Sequence, residues 1–393
     1  MIERDSSGRR IPALWLVLLA TPTSLSANTT TTVVPELARS LNVSTAHATW
    51  AATAFGWGAV IGTPLTAALL RTRTMRVAVL VNAALVLLGT LLVVLAPGLS
   101  VLLCGRACQA AGGSGLVTVA ITLAHTPRRT GLVTAAIGFI GAFGPLAGSA
   151  LAALSWRVAL SLSLLALPAV IAVVRDVPAQ RASKDARGAD GVGVALVAAM
   201  VTALVLIAAA PVPALLCAAV TLLLLGAHVR RHRDGFVPQP VLRTRAFRRS
   251  SALACALSTT YFTVLYTVPH RLAEYWTAEV IGGAILLALA TGSAASLLFA
   301  TWTSRLAPAA VHTAFTAAGA AAVLLPLTAS CPAAFAAATG FAVFASTGGM
   351  AWHAVRVARA APDRYRSDAV ALFTLCYQLG GAFGPALAAA LIT

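Results

Sequence analysis

The sequence predicts an all-α integral membrane protein with about thirteen transmembrane helices. Three observations carry that prediction. Of the 393 residues, 59% are hydrophobic and only 10% charged, where a soluble globular protein carries about 25% charged residues. Apolar runs long enough to cross roughly 30 Å of hydrocarbon recur along the whole chain. The basic residues, which give a net charge of +17, collect on alternate connections between those runs, as expected of an oriented multi-spanning chain. All but one of the 28 basic residues are arginine. With so much alanine, that bias points to a GC-rich bacterial genome and to a cytoplasmic membrane as the location.

The first expected span, 11–34, follows Arg4, Arg9 and Arg10. Its basic start and the small residues Ser24 to Ala27 also fit a cleavable signal peptide, but the apolar stretch continues to Val34, which favours a retained span. Spans 47–70 and 77–96 flank Arg71, Arg73 and Arg76, and span 99–124 is followed by Arg128 and Arg129. Spans 131–154 and 158–174 lead into the polar stretch 175–190, which holds Arg175, Arg181, Lys184 and Arg187. Spans 192–210 and 212–229 come next, and then seven arginines between 230 and 249, around Pro238 and Pro240. This basic stretch reads as an orientation determinant, with anionic lipid as a second contact. Spans 251–268, 279–302, 308–327, 333–355 and 369–392 complete the series, with Arg305 after the tenth and Arg356, Arg359, Arg364 and Arg366 after the twelfth. With the N-terminus cytoplasmic, 24 of the 28 basic residues lie inside, and only Arg39, Arg157 and Arg271 lie outside. Thirteen spans then place the C-terminus outside.

Residues 141–145 read GAFGP, and residues 381–385 repeat it. The two copies fall in spans 5 and 13. That offset suits two pseudo-symmetric bundles separated by two extra helices, an arrangement known among transporters. The boundaries are then 1–175 for a six-helix bundle, 176–250 for the linker with its two helices, and 251–393 for a five-helix bundle. A partner for span 6 would complete the second half, and the sequence stops at Thr393 without it.

Arg106 is the charged residue well inside a span, where arginine is costly and faces a cavity or a partner. Gln109 stands three residues on, and Gly112 and Gly113 extend the same helical face, where they let a helix or ligand come close. Residues 26–32 are unusually polar for a span. Their hydroxyls either bond back to the helix and pack between helices, or form the wall of a substrate cavity. The cavity candidates are Ser26, Asn28, Thr31, Tyr261, Tyr266 and Gln378. A coupling proton needs a group that titrates in the working range. Glu36 and Glu279 lie at outer ends and Asp368 at an inner end, and His47, His312 and His353 are the near-membrane histidines. The six cysteines are scattered and read as small apolar filler. The sole lysine, Lys184, sits in no phosphate-binding loop, and no zinc or nucleophile-elbow motif is present, so neither a cofactor, a metal nor an enzymatic activity is expected.

Residues 106–113, RACQAAGG, resemble the fourth-helix motif of the major facilitator superfamily, and the resemblance implies a part for Arg106, with Gln109, in proton coupling. Residues 141–149, GAFGPLAGS, resemble the fifth-helix antiporter motif of exporters, with Gly144, Pro145 and Gly148 matching and Ser149 replacing the final glycine. Such a helix is kinked, with a glycine face that packs tightly between the halves. Trp156-Arg157 is similar to the start of the family's sixth helix. Residues 376–385, CYQLGGAFGP, resemble the thirteenth helix of the fourteen-helix drug:proton antiporters, and 238–249, PQPVLRTRAFRR, the segment before their ninth. The first helix keeps Leu25 and Pro35 of that group's pattern but has Ser26 at its aspartate. The stretch 64–76 keeps its basic character and lacks its aspartate. The resemblance implies the major facilitator fold and a monomer that exports small organic molecules, drugs or secondary metabolites, by proton antiport. It also implies membrane lipid as surroundings and no nucleic-acid partner. An uncoupled facilitator and a non-transporting sensor or assembly partner remain the other readings.

Overall fold

The computed structural model describes residues 11–124, 127–177, 190–208, 210–232, 235, 237–303, 305–328, 331–362 and 365–392. Of the basic residues read from the sequence as cytoplasmic, Arg4, Arg9, Arg10, Arg181, Lys184, Arg187, Arg233 and Arg364 lie outside these. The described residues are helical almost throughout. The first half holds α1 (Ala13–Leu41), α2 (Thr45–Thr72), α3 (Met75–Val94), α4 (Leu99–Ala124), α5 (Pro127–Ala142), α6 (Gly144–Ala152), α7 (Trp156–Ala159) and α8 (Leu167–Asp176). A 3-10 turn at Leu162–Ala166 joins α7 to α8. Two helices follow, α9 (Gly191–Val205) and α10 (Pro211–Arg231). The second half holds α11 (Gln239–Arg243), α12 (Arg245–Leu272), α13 (Ala278–Trp302), α14 (Pro308–Thr328), α15 (Pro332–Val343), α16 (Gly349–Ala360) and α17 (Arg366–Ile392), with a π-helical turn at Phe344–Gly348 between α15 and α16.

Local chemistry sets the starts and stops. Ser44, Thr74, Ser155 and Asp190 cap α2, α3, α7 and α9 by accepting backbone N–H groups with their side chains. Asn42 ends α1 in the left-handed region at φ 52°, where its N–H reaches the carbonyls of Ala38 and Arg39.

Ten helical stretches among the described residues are long and apolar enough to cross a membrane. The other three expected spans fall on helices that miss that standard for separate reasons. In α1 the polar run from Ser24 to Thr32 lowers the hydropathy of a 29-residue helix. The apolar helical stretch within the span expected at 131–154 is Ala136–Ala152, too short by itself, and it is broken at Phe143, between α5 and α6. The helix α9 is 15 residues long, extended only by a 3-10 turn at Leu206–Ala208.

In the first half, α1 is the hub: it lies against α2, α4, α5 and α6, while α4 also packs on α2 and α3. In the second half, α12 packs on α17, α15 and α16. The halves meet where α2 lies along α17 and where α5 and α6 meet α13. The helix α9 rests on α2 and α17, anchored by Trp57 Nε1 donating to Thr202 Oγ1 at 2.8 Å, and α10 packs on α9. Leu215, Leu216, Leu222, Leu223 and Leu224 of α10 are exposed. Backbone hydrogen bonds stay within each helix, so an apolar exterior of this kind suits contact with lipid.

Candidate functional site

Arg106, in the second turn of α4, is fully buried. Its Nη1 donates to Ser26 Oγ at 3.0 Å and to Gln109 Oε1 at 2.9 Å. Its Nη2 donates to the Ser26 carbonyl at 3.1 Å and to Thr30 Oγ1 at 2.7 Å. The guanidinium also lies 4.2 Å from the centre of the Phe55 ring on α2, a cation–π contact. Gln109 holds the far side: its Nε2 donates to Thr90 Oγ1 at 2.9 Å and to the Leu160 carbonyl at 3.1 Å. Side chains of α1, α2 and α4 itself therefore converge on one cation. The polar run in α1 explains why α1 supplies most of the acceptors: a serine and a threonine four residues apart share a helical face.

Ser26 stands where the exporters resembled carry aspartate, and it gives Arg106 a neutral oxygen in place of a carboxylate. Glu36 is ten residues further along α1, about 15 Å from Ser26, and is paired with Arg39 at 2.6 Å. Asp368 lies in the first turn of α17. Neither is brought to Arg106.

Two of the candidate glycines in α4 serve helix contact. A Cβ on Gly112 would meet the Asn82 carbonyl of α3 at 2.4 Å, and one on Gly113 would meet Thr23 of α1 at 2.5 Å.

The seam between α1 and α5–α6 is hydrogen-bonded in strict register. Ser24 Oγ donates to the Ile137 carbonyl at 2.8 Å, Asn28 Nδ2 to Gly141 at 2.9 Å, and Thr32 Oγ1 to Pro145 at 3.0 Å. Donors and acceptors both advance by four residues, one turn at a time. Pro145 has no N–H, so the Gly141 carbonyl four residues earlier lacks its helical donor; Asn28 supplies one. A Cβ on Gly144 would stand 2.5 Å from the Asn28 Cβ, and one on Gly148 would stand 2.3 Å from Thr32 Oγ1. The glycine face thus packs on α1 of its own half, not between the halves as the motif implied. In the same segment, Ser149 Oγ and the Pro145 carbonyl approach Gly282 of α13, in the other half.

The second half contributes tyrosines. Tyr266 Oη donates to the Ala27 carbonyl at 3.2 Å, and its ring is within electrostatic reach of Arg106. The Tyr261 hydroxyl faces Asn28. Gln378 lies on the α2–α17 seam, with Oε1 accepting from Thr63 Oγ1 at 3.2 Å. Thr31 bonds back to the Asn28 carbonyl at 2.7 Å, so its hydroxyl serves its own helix. Of the histidines, His47 is bonded to Ser44 at the start of α2, and His353 is buried against Ser250 at 3.0 Å with its ring beside that of His312.

Sequence reasoning missed Phe55, Thr90 and Tyr377. Tyr377 bonds Ser346, in the π-helical turn, at 2.9 Å. It had a signal: the chain has only five tyrosines, and this one adjoins Gln378 inside an apolar span. Phe55 and Thr90 carried none, since neutral residues of those types are ordinary in spans.

Two helical bundles that meet around buried polar side chains are the architecture of a multi-pass membrane transporter. Comparison with known proteins gives the family. The Major Facilitator Superfamily matches residues 16–385, and the chain belongs to that superfamily. It is 34% identical over 134 residues to "Uncharacterized MFS-type transporter YcnB" of Bacillus subtilis (strain 168), a match spanning 32% of this chain and 28% of that protein. Among solved structures, it is similar to a POT peptide transporter mutant in complex with alafosfalin (TM-score 0.69, 13% identity, 98% of this chain and 89% of that one). It is also similar to a mutant of the nucleoside transporter NupG (TM-score 0.67, 10% identity, 96% of this chain and 91% of that one). At those identities the likeness is one of fold.

Proposed function

We propose that this chain is a secondary active transporter that exports small organic molecules across a bacterial cytoplasmic membrane by alternating access, coupled to proton entry. The N-terminus is then cytoplasmic, and the protein works as a monomer. The observation that carries this reading is the polar cluster shared by both halves. Arg106, Ser26 and Asn28 come from one bundle and Tyr261 and Tyr266 from the other. A site divided in this way is opened to one face or the other when the bundles rock. The Gly144-Pro145-Gly148 motif supports export, because it resembles that of exporters. Flux of an amphipathic dye from proteoliposomes, with and without an imposed pH gradient, tests the reading. Gradient-dependent dye movement is expected, and absence of flux across a broad panel would sink it.

A second reading, an uncoupled facilitator, is favoured by one specific observation. Ser26 replaces the acid at Arg106, and every described carboxylate lies toward a helix end. The same assay separates the two: a facilitator dissipates its substrate gradient without moving protons.

A further inference from the structure

Arg106 is a buried cation with no counter-charge among the described residues. All four contacts of its terminal nitrogens are with neutral oxygens, and its Nε has no partner. The ion pairs among the described residues join other groups, at helix ends or in the linker. The described acids, Glu36, Asp176, Asp190, Glu274, Glu279 and Asp368, all lie toward helix ends. A buried charge without a counter-charge is strongly unfavourable, more so at bilayer depth. Hydroxyls and an amide reduce that cost without cancelling the charge.

We propose that Arg106 is the docking point for an anionic group, the carboxylate of a small organic molecule, so that organic anions are the substrate class. The inference rests on the transport reading above and deepens it. An aspartate at position 26 would have neutralised the guanidinium internally; serine leaves that place to the cargo. Phe55 lies over the guanidinium and, with Tyr261 and Tyr266, supplies aromatic surface for the body of an amphipathic acid. Tyr266 comes from the second half, so parting of the halves would withdraw it from the neighbourhood of the site.

The test measures binding, using the full chain in nanodiscs and thermal unfolding at constant ionic strength. The probes are acetate and benzoate, their neutral counterparts acetamide and benzamide, and chloride. Both carboxylates should raise the unfolding midpoint, each with an apparent affinity at least about tenfold above its amide. Ser26→Asp, which supplies the counter-charge from within, should abolish the shift, and Arg106→Gln should do the same; either variant suffices if the other fails to fold. Equal effects of acid and amide, no effect of any probe, or an undiminished shift in Ser26→Asp would overturn the proposal. A shift with chloride but with neither carboxylate would assign the site to a free inorganic ion and overturn the organic-acid assignment. Flux in proteoliposomes is scored separately. Carboxylate-specific binding without any flux would remove the transport reading and leave the site. Flux of neutral probes without carboxylate preference would do the reverse.

Discussion

At the scale of residues, the pairing of Asn28 with Pro145 shows how one side chain repairs what another removes. Proline denies the Gly141 carbonyl its helical donor, and Asn28 replaces it at 2.9 Å. Asn28→Ala should therefore cost about 1–3 kcal/mol, the penalty of a buried unpaired acceptor. Pro145→Ala restores the missing N–H, so Asn28→Ala should cost less in that background, with a coupling of about 1 kcal/mol in a double-mutant cycle followed by thermal unfolding. A zero coupling would show that the two residues act independently. Arg106 and Gln109 were legible in the sequence because charge inside a span is conspicuous. Asn28 was legible as important but not in its role, since the orphaned carbonyl it serves lies 113 residues away. Thr90 and Phe55 were not legible at all, because a neutral side chain acquires meaning only from what packing sets beside it.

At the scale of elements, hydropathy located each helix but not its breaks. The interruption at Phe143 follows the kink expected of the Gly144-Pro145 motif, whereas the π-helical turn at Phe344–Gly348 leaves the average apolarity of its segment unchanged, so no window of composition could reveal it. The glycines beside the first break carry a sharper expectation. Gly144→Ala would force its Cβ to within 2.5 Å of Asn28 and 2.8 Å of the Leu25 carbonyl, while a Cβ on Gly138 meets nothing within 4 Å. Thermal unfolding should show Gly144→Ala destabilising by about 1–3 kcal/mol, as overpacking does, and Gly138→Ala stabilising by about 0.5–1 kcal/mol, the helix-propensity gain of alanine where nothing is in the way. The glycine motif itself was legible; its partner was not, because the motif's resemblance pointed to the other half, whereas its close neighbours are on α1.

At the scale of the whole molecule, few polar links join the halves among the described residues, and the bond from Tyr266 to the Ala27 carbonyl is one of them. Tyr266→Phe removes it and should weaken the described conformation by about 1 kcal/mol, a shift of roughly fivefold in the balance between conformers. Distances between spin labels on the two bundles would report it, and an unchanged distribution would show that the bond does not bias the balance.

The unneutralised guanidinium has an electrical consequence. With an organic anion bound at Arg106 the site carries no net charge, so the loaded transporter crosses between states almost indifferent to voltage. The transporter returning without cargo still carries its positive charge, together with any coupled proton, and an inside-negative potential draws that charge inward at up to about 2.3 kcal/mol per elementary charge per 100 mV for a full crossing of the field. Voltage then acts on the return of the empty protein rather than on the journey of the cargo. Net carboxylate efflux should rise when a potassium diffusion potential makes the interior negative, while one-for-one exchange, in which the site never returns empty, should stay flat.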